Sequence, residues 1–120
     1  MSALLFEKSG PVVTLTINRA ESRNPLGEEG DGELFAEACG KINTDREVRC
    51  AILTGAGPAF SAGGNVKAMR ERSGVFAGAG VHIRERYRNG IHRIVRSIWG
   101  VEVPLIAAVN GPAIGLGNDV

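Results

Sequence analysis

The sequence predicts an α/β fold, and three observations carry that prediction. Strand, glycine-rich loop and helix follow one another twice, at residues 48–72 and 104–120. The first of these strands, VRCAILTG, is a nearly continuous apolar run of strand length, the pattern of a strand covered on both faces. Between the two units lies the longest stretch of helical periodicity in the chain. The recurrence is architectural, since the two units share no sequence repeat. At 120 residues there is room for one domain with a modest core and no room for two.

The elements follow in order. ALLFEKSGPVVTLTINR reads as two strands joined by a Ser9–Gly10–Pro11 turn. In the second strand Val13, Leu15 and Ile17 alternate with Thr14 and Thr16, a period of two. The polar loop AESRNPLGEEGDG comes next. Asp31 then serves as N-cap of a helix to about Thr44, with Leu34, Phe35, Ala38, Cys39 and Ile42 on its apolar face. After the strand VRCAILTG, the loop AGPAFSAGGN leads into a helix beginning VKAMRER, and SGVFAGAGV reads as mobile. The next helix spans roughly Val81 to Trp99. Its residues Ile83, Tyr87, Ile91, Ile94, Val95 and Ile98 share one face, with Gly90 inside it at some cost in stability. VPLIAAVNG is a short buried strand, and PAIGLGNDV turns into a further helix.

Composition excludes several classes. With 43% hydrophobic and 22% charged residues the chain is that of an ordinary globular protein. A net charge of +1 leaves no global field for nucleic acid or an anionic membrane. The apolar start MSALLF is too short for a secretory signal, and no stretch approaches the length of a membrane span. Cys39 and Cys50 read as buried free thiols, which fits a reducing cytoplasm, and neither sits in a metal or redox motif.

The chemistry lies at the two strand-to-helix junctions. In each, a glycine loop presents N–H groups at a helix start, where the dipole favours negative charge. Two such donors aimed at one oxygen make an oxyanion hole. Either junction alone also reads as a tight turn and nothing more. A dinucleotide fingerprint fails on spacing, because its third glycine would fall on Phe60 in GAGPAF and on Val120 in GLGNDV. A phosphate-binding P-loop fails as well, since no Lys-Ser or Lys-Thr follows either loop.

NRAESRNPL, LTGAGPAFSAGGNVKAM and PLIAAVNGPAIGLGNDV resemble the three signature stretches of the crotonase, or enoyl-CoA hydratase/isomerase, family. They stand in the family's order and at its separations. The resemblance implies a crotonase-like spiral of ββα units, of which residues 1–120 form the N-terminal part of one acyl-CoA-binding domain. Carried over position by position, the thioester oxygen is held by the backbone N–H groups of Gly64 and Leu116. The family usually has glycine where this chain has Leu116; the backbone donor survives that change, and the side chain narrows the acyl pocket. Coenzyme A contacts fall on Ser22, Arg23, Ala62, Asn65, Val66 and Lys67, with Lys67 the natural phosphate partner. The family often has aspartate where this chain has Asn65, which removes a charge near the coenzyme.

Asp119 matches the first of two acidic positions with which the family's hydratases activate water, where glutamate is usual. It reads equally as an acidic residue answering a helix dipole. The second acidic position lies beyond Val120. The implied activity is that of an enoyl-CoA hydratase-like lyase of fatty acid metabolism, cytoplasmic, a homotrimer or hexamer in full-length form, with the 120-residue chain inactive by itself. No cofactor or metal is implied, because coenzyme A is part of the substrate. The rival reading is a non-catalytic acyl-CoA-binding or assembly subunit. His82 and His92 read as solvated for want of a matched carboxylate and nucleophile, and the arginines from Arg84 to Arg96 as a solvated basic face, with RNA or coenzyme phosphate contact the lesser reading. Trp99 reads as core or as a subunit contact.

Overall fold

A computed structural model describes residues 2–120. Strands β1 (Leu4–Ser9) and β2 (Val12–Ile17) form an antiparallel hairpin through Gly10, whose φ of 58° suits a residue without Cβ. β3 (Cys50–Gly55) and β4 (Leu105–Ala108) then add in parallel, giving the sheet order β1-β2-β3-β4. Helix α1 (Asp31–Thr44) makes the first crossover. Helices α2 (Val66–Glu71), α3 (Gly80–Asn89) and α4 (Ile91–Trp99) make the second, and α5 (Leu116–Asp119) follows β4.

The core lies between one face of the sheet and the pair α1 and α4. Val13, Leu15 and Ile17 point inward as period two requires, beside Ala51 and Leu53 of β3. Phe35, Ala38 and Ile42 of α1 and Ile94 of α4 close over them. Each large apolar side chain so buried stabilises the fold by about 1.5–3 kcal/mol.

Three expectations are corrected. The helix expected over Val81–Trp99 is two helices broken at Gly90, whose φ and ψ are −110° and −93°. The cause is a close backbone approach: a Cβ on Gly32 of α1 would lie 2.3 Å from the Asn89 carbonyl oxygen. Second, neither β3 nor β4 is covered on both faces. Ile52 and Thr54 are half-buried, and Ile106 and Ala108, their register partners on the edge strand, are exposed. Third, Trp99 is 90% exposed and forms no part of this chain's core. Within the stretch from Ser73 onward, Gly74–Phe76 makes a turn of 3-10 helix, and buried Phe76 meets Tyr87 edge-on.

Candidate active site

β2, β3 and β4 are parallel, so their C-terminal ends open on one edge of the sheet, and the three loops that follow them meet there. The loop after β3 is the middle piece. On one side the Leu26 N–H donates to the Gly63 carbonyl and the Ala62 N–H to the Arg23 carbonyl, both at 2.8 Å. On the other side the Ile114 N–H donates to the Ser61 carbonyl at 3.0 Å and the Phe60 N–H to the Pro112 carbonyl at 3.1 Å. The loop is thus pinned from both flanks by short parallel bridges.

Side chains lock the same junction. Asn24 is fully buried in a left-handed conformation, φ 56°, which asparagine tolerates better than most residues. Its Oδ1 accepts from the Arg19 N–H at 2.8 Å, and its Nδ2 donates to the Ala56 and Ala59 carbonyls at 2.8 and 2.9 Å. Ser61, also fully buried, donates its hydroxyl to the Asn24 carbonyl at 2.7 Å and accepts from the Gly63 N–H at 3.1 Å. Every polar group in this pair has a partner, so burial rigidifies the loop instead of destabilising it.

Asp31 is not the N-cap expected of it. Gly30, at φ 86°, takes that position, and Asp31 begins the helix with its carboxylate turned back under the loop. There it accepts from the Gly27 and Glu28 N–H groups at 3.1 and 3.0 Å and forms a two-pronged ion pair with Arg19 at 2.7 and 2.8 Å. The carboxylate raises the pKa of the Arg19 guanidinium by accepting these hydrogen bonds, against the opposing effect of burial. The sequence carries one faint signal for this pair, an arginine at the end of a strand; its partner was readable only as a cap.

Gly63 and Leu116 are brought together tightly. A Cβ on Gly63 would lie 2.5 Å from the Ile114 carbonyl oxygen and 3.0 Å from the Leu116 nitrogen. Gly117 is pressed as closely on Ser61, where a Cβ would come within 2.4 Å of its carbonyl oxygen. Among the described residues no protein acceptor takes the N–H of Gly64 or of Leu116. Two uncommitted backbone donors therefore stand on two loops that hydrogen bonds hold in fixed relation.

The other candidate residues divide. Ser22 and Arg23 are exposed on the loop after β2, and the Arg23 carbonyl reaches Ala62, so these three positions cluster. Asn65 caps α2, accepting from the Ala68 N–H at 3.0 Å, while its amide donates to Glu28 at 3.1 Å. Val66 and Lys67 are exposed in the first turn of α2. Asp119 ends α5, exposed, with its backbone N–H on the Gly115 carbonyl and no side-chain hydrogen bond or ion pair among the described residues.

The described residues bring no group of three or more His, Cys, Asp or Glu side chains together as a metal site, and include no helix long and apolar enough to cross a membrane. A cleft of about 490 Å³ opens between the start of α1, the Gly74–Val75 turn and the end of α3, with Glu28, Glu29, Glu33 and Arg86 in its lining.

Residues 7–120 match the sequence profile of the enoyl-CoA hydratase/isomerase family. The chain belongs to this family. It is 34% identical over its whole length to a short-chain-enoyl-CoA hydratase of Clostridium acetobutylicum, and spans 43% of that protein. It is 35% identical, over 98% of its length, to a 1,2-epoxyphenylacetyl-CoA isomerase of Escherichia coli, again spanning 43% of the relative. Its fold superposes on the crystal structure of an enoyl-CoA hydratase/isomerase from Mycobacterium paratuberculosis with a TM-score of 0.77 at 31% identity, covering 96% of this chain and 44% of that one. The crotonase fold expected from the signature stretches is borne out. This crotonase chain spans a little under half the length of these relatives.

Proposed function

We propose that this chain binds an acyl-CoA thioester and stabilises its enolate between the N–H groups of Gly64 and Leu116, and that the full-length protein adds water across a 2-enoyl-CoA double bond. The observation that supports this most is the pair of uncommitted donors on two interlocked loops. As water oxygen bonds to the β-carbon, a base takes its proton and electron density moves onto the thioester oxygen. The enolate then collects a proton at the α-carbon. Donors already aimed at that oxygen stabilise the charge as it forms, and losing one typically slows such reactions by about 10²- to 10³-fold.

Asp119 is proposed as one member of the acid/base pair. Ser22, Arg23, Ala62 and Val66 lie along the same edge as contacts for coenzyme A, and Lys67 meets a phosphate. Asn65 acts there chiefly as the cap that fixes the α2 start. We place the assembled protein in the cytoplasm as a trimer or hexamer, working without a further cofactor.

A second reading is a non-catalytic acyl-CoA-binding or assembly subunit, and what favours it is the aspartate at position 119, one methylene shorter than the glutamate usual in the family's hydratases. Incubating the full-length protein with crotonyl-CoA separates the readings, hydration being followed by loss of the conjugated thioester absorbance. Turnover supports the hydratase, tight binding without turnover supports the subunit, and neither binding nor turnover contradicts both.

A further inference from the structure

The two proposed donors belong to peptide groups whose carbonyls are both occupied, by different means. The Leu116 N–H shares its peptide with the Gly115 carbonyl. That carbonyl accepts from the Asn118 and Asp119 N–H groups at 2.9 and 3.2 Å, which the first turn of its own helix supplies. The Gly64 N–H shares its peptide with the Gly63 carbonyl, and no helix turn reaches it, since α2 begins only at Val66. Its partner comes from a distant segment: the Leu26 N–H, on the loop after β2, donates to it at 2.8 Å. Leu26 is held for that contact. Its side chain is buried in the core. On one side of it the Arg19 guanidinium donates to the Pro25 carbonyl at 3.2 Å. On the other the Asp31 carboxylate accepts from the Gly27 and Glu28 N–H groups at 3.1 and 3.0 Å. Arg19 and Asp31 are themselves ion-paired, so one clamp grips the chain on both sides of Leu26. Taking such charges out of water costs much of what their attraction returns, and what this pair achieves is a fixed position for one N–H.

We infer that Leu26 is a positioning residue for the reaction: by donating to the Gly63 carbonyl, its backbone N–H polarises the Gly63–Gly64 peptide and strengthens the N–H that Gly64 offers to the thioester oxygen. The inference rests on the oxyanion reading above. A peptide is a resonance hybrid, and a hydrogen bond to its carbonyl draws electron density from nitrogen to oxygen. The N–H of the same peptide then donates more strongly, a gain of about 10–30% per bond in a chain of this kind. The gain grows with the charge on the acceptor, so it acts more on the enolate than on the neutral thioester and appears in turnover more than in binding. Leu26 thus does for the Gly64 donor what the first turn of α5 does for the Leu116 donor.

The test removes that N–H from the full-length protein in two ways. Replacing Leu26 by its 2-hydroxy acid counterpart turns the amide into an ester and keeps the side chain. Leu26→Pro removes the same donor and keeps the Pro25 carbonyl a full amide acceptor for Arg19. The control is the 2-hydroxy acid counterpart of Ile114, whose N–H donates to the Ser61 carbonyl at 3.0 Å and so joins the same loops without touching a donor peptide. Each form is read by Tm, by crotonyl-CoA turnover and by the infrared carbonyl band of a bound ¹³C-labelled thioester. Scaling the effect of losing a whole donor, about 10²- to 10³-fold, by the gain per bond gives a fall in kcat of about two- to eightfold in both Leu26 variants. We expect KM to change by less than about twofold and the carbonyl band to lose part of its shift. The Ile114 form should lose Tm and keep the parent's band. A parent-like band and kcat in the Leu26 forms, or the same loss of band shift in the Ile114 form, would overturn the inference and leave the oxyanion reading intact. An unshifted band in the parent would overturn that reading and the inference with it.

Discussion

Asn24 and Asn110 donate to the same oxygen: their side-chain amides reach the Ala59 carbonyl at 2.9 and 3.1 Å from opposite flanks of the loop after β3. Asn24 also satisfies the Arg19 N–H and the Ala56 carbonyl and is fully buried. Asn110, which also accepts from the Gly55 N–H at 3.1 Å and donates to the Gly57 carbonyl at 2.8 Å, is exposed, so water can take over part of its bonding. Asn24→Ala leaves buried groups unpaired and should cost on the order of 3 kcal/mol; Asn110→Ala should cost about 1 kcal/mol. Urea denaturation of the two variants checks this. Equal losses, or the reverse order, would mean that the loop is not held chiefly from the β2 side.

Gly63 is the tightest point between the two donor loops. Gly63→Ala drives a Cβ into the Ile114 carbonyl at a φ of 78°, so the loops must separate. Thioester binding should fall with stability. Gly10→Ala is the control: its φ is 58°, but a Cβ there meets nothing within 4 Å, so it should cost only the backbone strain, about 1 kcal/mol. Comparing Tm and thioester affinity for both decides the point, and unaltered affinity in Gly63→Ala would contradict the interlocked junction.

Much of this architecture was legible because its causes are local. The alternation Val13, Leu15, Ile17 marks the buried sheet face, and the apolar stripe ending at Ile42 puts the end of α1 at about Thr44, where it is observed. What escaped reading depends on contacts between distant segments. Ser61 and Asn24 are 37 positions apart, and nothing in either neighbourhood names the other. Asp31 has the residue type and place of a cap, and only the folded course of Arg19 draws its carboxylate elsewhere. The break at Gly90 was hidden because the apolar face continues through it; the reason for it lies on α1, at Gly32. The donor loops were legible only through resemblance, since a glycine turn has no periodicity of its own.

Asp119 carries the acid/base proposal. In the full-length protein Asp119→Asn should lower turnover of a short enoyl-CoA far more than it weakens thioester binding, because binding rests on the backbone donors. Asp119→Glu should retain or raise the rate. Steady-state hydration by the three forms is the measurement. Equal rates for the parent and Asp119→Asn would leave Asp119 as a helix-dipole residue and favour the binding subunit.

The two thiols should behave differently. Burial pushes the Cys39 thiol from its ordinary value of 9.0 up to about 11, while Cys50 is only half-buried. A maleimide at pH 8 should therefore label Cys50 well before Cys39. The folded state holds the Cys39 proton more tightly than the unfolded one, so its stabilising contribution is complete below pH 9 and declines as pH rises toward 11. Cys39→Ala should flatten the fall in urea midpoint across that window. An unchanged slope would assign the fall to other groups.

The most direct test of the oxyanion proposal is the carbonyl stretch of a ¹³C-labelled thioester bound to the full-length protein, read by infrared difference spectroscopy in the parent and in Leu116→Pro. Proline removes the N–H at the first position of α5, a position helices accept, and the Tm of the variant shows whether the close junction with Gly63 is otherwise kept. The expected result is a carbonyl band shifted to lower frequency in the parent, a smaller shift in Leu116→Pro, and turnover lower by about 10²- to 10³-fold in that variant. An unshifted band in the parent, or the same shift and the same turnover in the proline variant, would contradict it.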